Sequence, residues 1–127
     1  MKKTSPRPCP CQGGTLVRFL QPIILSILSE GPCHGYVILQ KIGQTRLWGG
    51  VDPDPAGVYR ALRDMEERGL ICAKVDGQTR TGAERKVFQL TEEGVACRRS
   101  WLETLREYRL GLDEVIDALA EITDASE

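Results

Sequence analysis

The sequence holds little that could serve catalysis. Its 127 residues contain one histidine, His34. They contain no nucleophile elbow, no phosphate-binding glycine loop and no paired-histidine metalloprotease helix. Enzymatic activity is therefore not expected, and no cofactor is called for. Long hydrophobic runs are missing too. The longest, Ile23 to Leu28, is far below the roughly 20 residues needed to cross a bilayer, and no cleavable signal precedes it. A cytoplasmic protein with no membrane partner is the expectation. Among the five cysteines, Cys9, Cys11, Cys33, Cys72 and Cys97, there is no CxxC pair. An odd number without framework-like spacing argues against a disulfide scaffold and for reduced thiols.

What is present is an apolar content of 41%, enough for one packed core. The net charge of -1 hides an asymmetry: residues 1–99 hold 15 Lys/Arg against 10 Asp/Glu, whereas residues 100–127 hold 2 against 8. A basic body thus carries an acidic tail, and the body is the part suited to face phosphates.

Residues 1–14, with Lys2, Lys3, three prolines and Gly13-Gly14, have almost nothing apolar to offset the entropy of ordering and read as a flexible arm. From Leu16 apolar residues recur at helical spacing until Gly31-Pro32, with Pro22 suited to a first turn; this predicts a helix over about Gln21 to Ser29. A second short helix opens at Gly35 and ends at Gly43, and a loop follows from Thr45 to Pro53. Asp54-Pro55 reads as N-cap and first helical residue of a third helix, with Val58, Leu62 and Met65 on its buried face and Gly69 ending it. Leu70 to Val75 and Lys86 to Leu90 read as two strands, and the polar stretch from Asp76-Gly77 to Thr81-Gly82 as their hairpin connection. Thr91 caps a final helix. Along it Trp101, Leu105, Tyr108, Leu112, Val115, Leu119 and Ile122 keep the alternating 4-3 spacing of a coiled-coil seam, which marks a dimer interface.

The fold class is accordingly α+β, mostly α. Residues 15–91 form a winged helix-turn-helix, and residues 92–127 a C-terminal dimerisation helix. Three helices and a hairpin let one helix enter a major groove while the wing grips flanking backbone, so double-stranded DNA is the expected partner. The outward face of the third helix offers Tyr59, Arg60, Arg63 and Glu67, and arginine can read guanine or hold phosphate. The charge of that helix is close to balanced, so a merely solvated amphipathic helix is the competing reading.

Three motifs occur in order: His34-Gly35-Tyr36-Val37-Ile38; Gly57-Val58-Tyr59-Arg60-Ala61-Leu62-Arg63-Asp64-Met65-Glu66-Glu67-Arg68-Gly69-Leu70-Ile71; and Arg85-Lys86-Val87-Phe88-Gln89-Leu90-Thr91-Glu92-Glu93-Gly94. Together they resemble the PadR family of transcriptional regulators over residues 34–94. Arg60 stands where many relatives carry proline, and Phe88 where tyrosine is usual. The resemblance implies a homodimeric repressor whose C-terminal helices pair and which binds a palindromic operator. Tyr36, Tyr59, Arg60, Arg63, Arg80, Arg85 and Lys86 are the candidate DNA contacts, with Tyr36 and the wing residues on phosphate. Tyr36 has a second reading, a ring packed between helices.

Two sensing readings accompany this one. Trp101 and Tyr108 could frame a flat slot for a small aromatic effector, against the simpler reading of packing material. Cys9, Cys11 and Cys33 could converge on a metal ion or a thiol-reactive effector, against free thiols with no shared role; without a CxxC no metal site is assigned. His34 is read as a structural or capping histidine. Cys72 and Cys97 suit small buried hydrophobes. From another class, a winged-helix module that docks a protein partner is the alternative function.

Overall fold

In the computed structural model, residues 19–50, 52–78 and 80–126 are described, the side chains of 123–126 excepted. The elements run α1 (Leu20–Leu28), β1 (Cys33–His34), α2 (Gly35–Gly43), a 3-10 turn (Arg46–Trp48), α3 (Pro55–Glu67), β2 (Ile71–Gln78), β3 (Glu84–Leu90) and α4 (Glu92–Ser126). This is a winged helix-turn-helix with one long additional helix. The proposed arm at 1–14, including Cys9 and Cys11, lies outside the described residues.

α1 is apolar almost all round. Leu20, Ile23, Ile24, Leu25, Ile27 and Leu28 are all buried, and Pro22 sits in the first turn, where its missing N–H costs nothing. Ile38 and Ile42 from α2, Val58, Leu62 and Met65 from α3, Ile71 from β2 and Phe88 from β3 close on it to make one core. Each such aliphatic side chain removed from water contributes about 1.5–3 kcal/mol before entropy is counted.

α3 starts as the sequence indicates. The Asp54 carboxylate accepts the N–H of Gly57 at 3.2 Å, with Pro55 in the first turn. At its other end Gly69 takes φ +79, and the Leu70 N–H donates to the Met65 carbonyl at 2.9 Å, which turns the chain sharply into β2.

Three details differ from the sequence reading. Cys33 and His34 form a third strand, pairing with Phe88 and Val87, so the sheet order is β1-β3-β2 and antiparallel throughout. The hairpin strands are longer than read. β2 continues to Gln78, because the Asp76-Gly77 pair is a bulge inside the strand: Val75 pairs with Lys86 and Gln78 with Glu84, leaving one extra residue on β2, and Gly77 takes φ +84. The loop after α2 is not plain coil; its 3-10 turn buries Trp48 in the core.

α4 begins where Thr91 ties three elements together. Its hydroxyl donates to the Gly69 carbonyl and accepts the Gly94 N–H. Gly94 is buried against Leu70, whose carbonyl oxygen occupies the place a Cβ would take, so only glycine lets α4 approach this closely. Along α1, the Gln21 side-chain oxygen accepts the Trp101 indole N–H at 2.8 Å, Arg98 donates to Ser29 Oγ at 3.1 Å, and the Phe19 and Tyr108 rings meet edge to face at 6.1 Å. Trp101 is therefore half-buried and packs against the core of its own chain, in the part of α4 that docks on α1.

Candidate nucleic-acid interface

The start of α2, the exposed flank of α3 and the base of the hairpin enclose a cleft of about 260 Å³, lined among others by Tyr36, Tyr59, Arg63, Arg85 and Lys86. Helix and strand periodicity explain the convergence. Tyr59 and Arg63 are four residues apart and share one face of α3, while Val58, Leu62 and Met65 face the core. Arg85 and Lys86 come from β3, which Phe88 anchors in the core and β1 pairs beside the start of α2.

Gly35 is part of this construction. A Cβ there would lie 2.8 Å from the Tyr59 ring, so the first residue of α2 must be small for the α3 tyrosine to lie across the helix start. The sequence signal was its place beside His34 in the motif, but nothing along the chain pointed to Tyr59 as the reason.

Tyr36 is 53% exposed, which sets aside the reading of a ring packed between helices. Its ring lies 5.9 Å from that of His34, and the Arg85 guanidinium sits 5.9 Å from its centroid. Arg63, Arg85 and Lys86 form no ion pair among the described residues, although Glu66 and Glu84 also line the cleft. Arg68, by contrast, is held to Asp64 at 2.8 Å within α3. The cleft thus presents three cations and two phenols, with the cations free to meet an outside anion.

Arg60 and Arg80 are not brought into the cleft. Arg60 lines a separate groove of about 570 Å³ on the other flank of α3, with Leu20, Trp48 and Asp64. Arg80 stands exposed near the hairpin tip.

His34 does not cap α2 with its side chain; it pairs with Asp76 across the base of the wing, Nε2 to Oδ2 at 3.0 Å. The metal alternative finds only one of its three cysteines among the described residues. That one, Cys33, is buried, and burial pushes its thiol up, the Lys41 ammonium opposing and the Glu30 carboxylate adding to the shift. Among the described residues no group of three or more His, Cys, Asp or Glu side chains could hold a metal ion. Cys72 and Cys97 are partly buried, and Cys97 packs against the core. Among the described residues no helix is long and apolar enough to cross a membrane.

Beyond Tyr108, α4 carries Leu112, Val115, Ile116, Leu119 and Ile122, each between 55% and 66% exposed. All but Ile116 were on the seam read from the sequence. Leu105, nearer the docked part, is half-buried.

Comparison with known proteins gives a consistent result. Residues 24–100 match the Transcriptional regulator PadR-like family. Transcriptional regulator YqjI of Escherichia coli is 32% identical over 111 residues, which cover 84% of this chain and 49% of that protein; the chain thus spans about half the length of the curated relatives it matches. A transcriptional regulator from Clostridium thermocellum superposes with a TM-score of 0.66 at 23% identity, over 76% of this chain and 89% of its own, and shares the fold. Bacillus subtilis PadR, in a crystal structure with operator DNA, superposes with a TM-score of 0.57 at 27% identity, over 67% of this chain and 47% of its own.

Proposed function

The chain belongs to the PadR-like family of transcriptional regulators, which are not enzymes, and from that premise we propose that it is a repressor that binds a palindromic operator as a homodimer. The observation that carries the proposal is the cleft at the α2 start, α3 and the wing, where Arg63, Arg85 and Lys86 have no ion-pair partner among the described residues. α3 enters the major groove, with Arg63 on the cleft side and Arg60, exposed on its other flank, as the base-reading residues. Tyr36, Tyr59, Arg85 and Lys86 hold the flanking phosphates, and Arg80 reaches backbone from the hairpin tip. The Bacillus subtilis relative bound to operator DNA supports this use of the domain.

The second copy pairs through α4. A row of exposed leucine, valine and isoleucine along one face of a helix is stable in water only when covered, and the 4-3 spacing is the one that two helices can interlock. Two recognition helices then face half-sites about one turn of DNA apart.

The test is selection of genomic fragments by the purified protein at moderate salt, followed by titration of the recovered duplex. Replacing Arg63 and Lys86 together by alanine is expected to weaken binding at least about 10-fold and to flatten its salt dependence. Recovery of nothing beyond bulk DNA, or a double variant that binds as the parent does, sinks the reading; retention of a protein partner instead would favour a protein-docking module.

A further inference from the structure

His34, Tyr36, Asp76 and Arg85 come from four different elements, and their side chains form one connected chain. Asp76 Oδ2 lies 3.0 Å from His34 Nε2, the His34 ring 5.9 Å from the ring of Tyr36, and the Arg85 guanidinium 5.9 Å from that same ring. The path leads from a bulged wing strand to two groups placed on phosphate. We propose that Asp76 is a positioning residue for DNA binding: acting through His34, it fixes Tyr36 and Arg85 in the geometry that receives a backbone phosphate. This rests on the DNA-binding reading above.

The backbone accounts for how Asp76 reaches its partner. In a regular hairpin β2 would be two strands away from β1, with β3 between them, and Lys74 is the β2 residue level with His34, both pairing with Val87. The extra residue at Asp76-Gly77, with Gly77 at φ +84, breaks the register just beyond that level and bends the strand, and bulges commonly re-aim a side chain in this way. The carboxylate thus reaches across the central strand β3 to the imidazole. His34 is held in turn by its strand pairing with Val87 and stands immediately before α2, so its ring orientation and the start of that helix are fixed together.

The pairing also matters for the ordering of the site. Tyr36 and Arg85 are exposed or half-exposed side chains with many alternative rotamers, and each binds phosphate only after that freedom is lost. A His34 ring held by Asp76 gives the tyrosine a surface to lie against, and the tyrosine gives one to the guanidinium. Part of the ordering cost is then met before DNA arrives. Arg85 keeps its hydrogen-bond donors for the ligand because its contact is with a ring face and not with a carboxylate.

Phosphate contact is independent of sequence, so sheared duplex DNA serves as the probe. The full chain, Asp76→Ala, Asp76→Asn, Arg85→Ala and the Asp76→Ala/Arg85→Ala double variant are titrated against it across a salt series. Asp76→Ala is expected to weaken binding about fivefold and to lower the slope of log affinity on log salt by about one, as for one lost phosphate contact. Asp76→Asn, which keeps an oxygen able to accept from the imidazole, stays within about twofold of the parent. In the Arg85→Ala background the Asp76 change costs less than it does in the parent, since one of the two groups it positions is already gone and only Tyr36 remains to be held. Parent-like binding by Asp76→Ala, additive losses in the double variant, or an asparagine as weak as the alanine each overturns the inference while leaving the DNA-binding reading intact. A parent chain without salt-dependent affinity for duplex overturns both.

Discussion

The cleft face of the winged domain and the outer half of α4 are both open to solvent, yet they expose opposite things. Around the cleft, cations and phenols, with Glu66 and Glu84 among them, stand on elements that Ile38, Leu62 or Phe88 anchors in the core. Along α4 the exposed groups are leucine, valine and isoleucine on a helix that leaves the core after Tyr108, and from residue 112 onward the only charges are acidic. A surface that meets an anion needs fixed positive groups and no further burial. In the proposed dimer, the surface that meets its own copy needs apolar area, and the acidic residues beside it would disfavour contact of the tail with DNA. The division of labour is written in charge as well as in shape.

The most severe way to break that comparison is to charge the apolar face. Leu112→Glu with Leu119→Glu is expected to leave the winged domain folded, to convert dimer to monomer in analytical ultracentrifugation and to lower operator affinity by about 100-fold or more, as two linked half-sites become one. A monomeric parent, or a charged variant that remains dimeric, would remove α4 as the interface. Gly35→Ala probes the other face. The added methyl pushes the Tyr59 ring away from the start of α2, so DNA affinity should fall about 10-fold while the oligomeric state and far-ultraviolet circular dichroism stay as in the parent. Unchanged affinity would take Tyr59 out of the contact surface.

The smallest effect concerns Cys33, in the core beside Phe88. Burial raises its thiol, so the folded protein favours the protonated form more than the unfolded chain does. The sign follows: this contribution to stability is complete below the ordinary thiol range and is lost as pH climbs through and above it. Cys33→Ser compared with the parent in denaturant titrations should show the parent's advantage shrinking from neutral to alkaline pH, and Cys33 should alkylate slowly in the folded protein. Rapid alkylation at neutral pH would instead make it a reactive thiol.

Much of this was legible along the chain because the signals were local. Asp54-Pro55 announced α3, Gly69 ended it, and the spacing of Val58, Leu62 and Met65 showed its buried side. The recognition-face residues followed by subtraction, and five of the seven candidate contacts, from three elements, meet in one cleft. What escaped was non-local. A two-residue strand such as β1 has no period to detect, and it exists only because β3 lies beside it. Trp48 looked like a loop residue because glycines and prolines surround it, although its size alone was a hint of burial. Asp76-Gly77 carried a turn signal and proved to be a bulge, since the pairing of both strands continued past it.

The sequence by itself determined the helices, the hairpin, the charge split between body and tail and the apolar stripe of α4, because each depends on neighbours within a turn or two of the chain. Tertiary structure alone decided which stretch of that stripe docks within the chain: Gln21, some 80 residues away, holds Trp101 against the core, while the residues from Leu112 onward stay exposed. It also decided that His34 meets Asp76 and that Arg60 and Arg63, three residues apart, open onto different grooves. Periodicity assigns a residue to a face of its own helix, but what stands opposite that face is chosen only when the core closes.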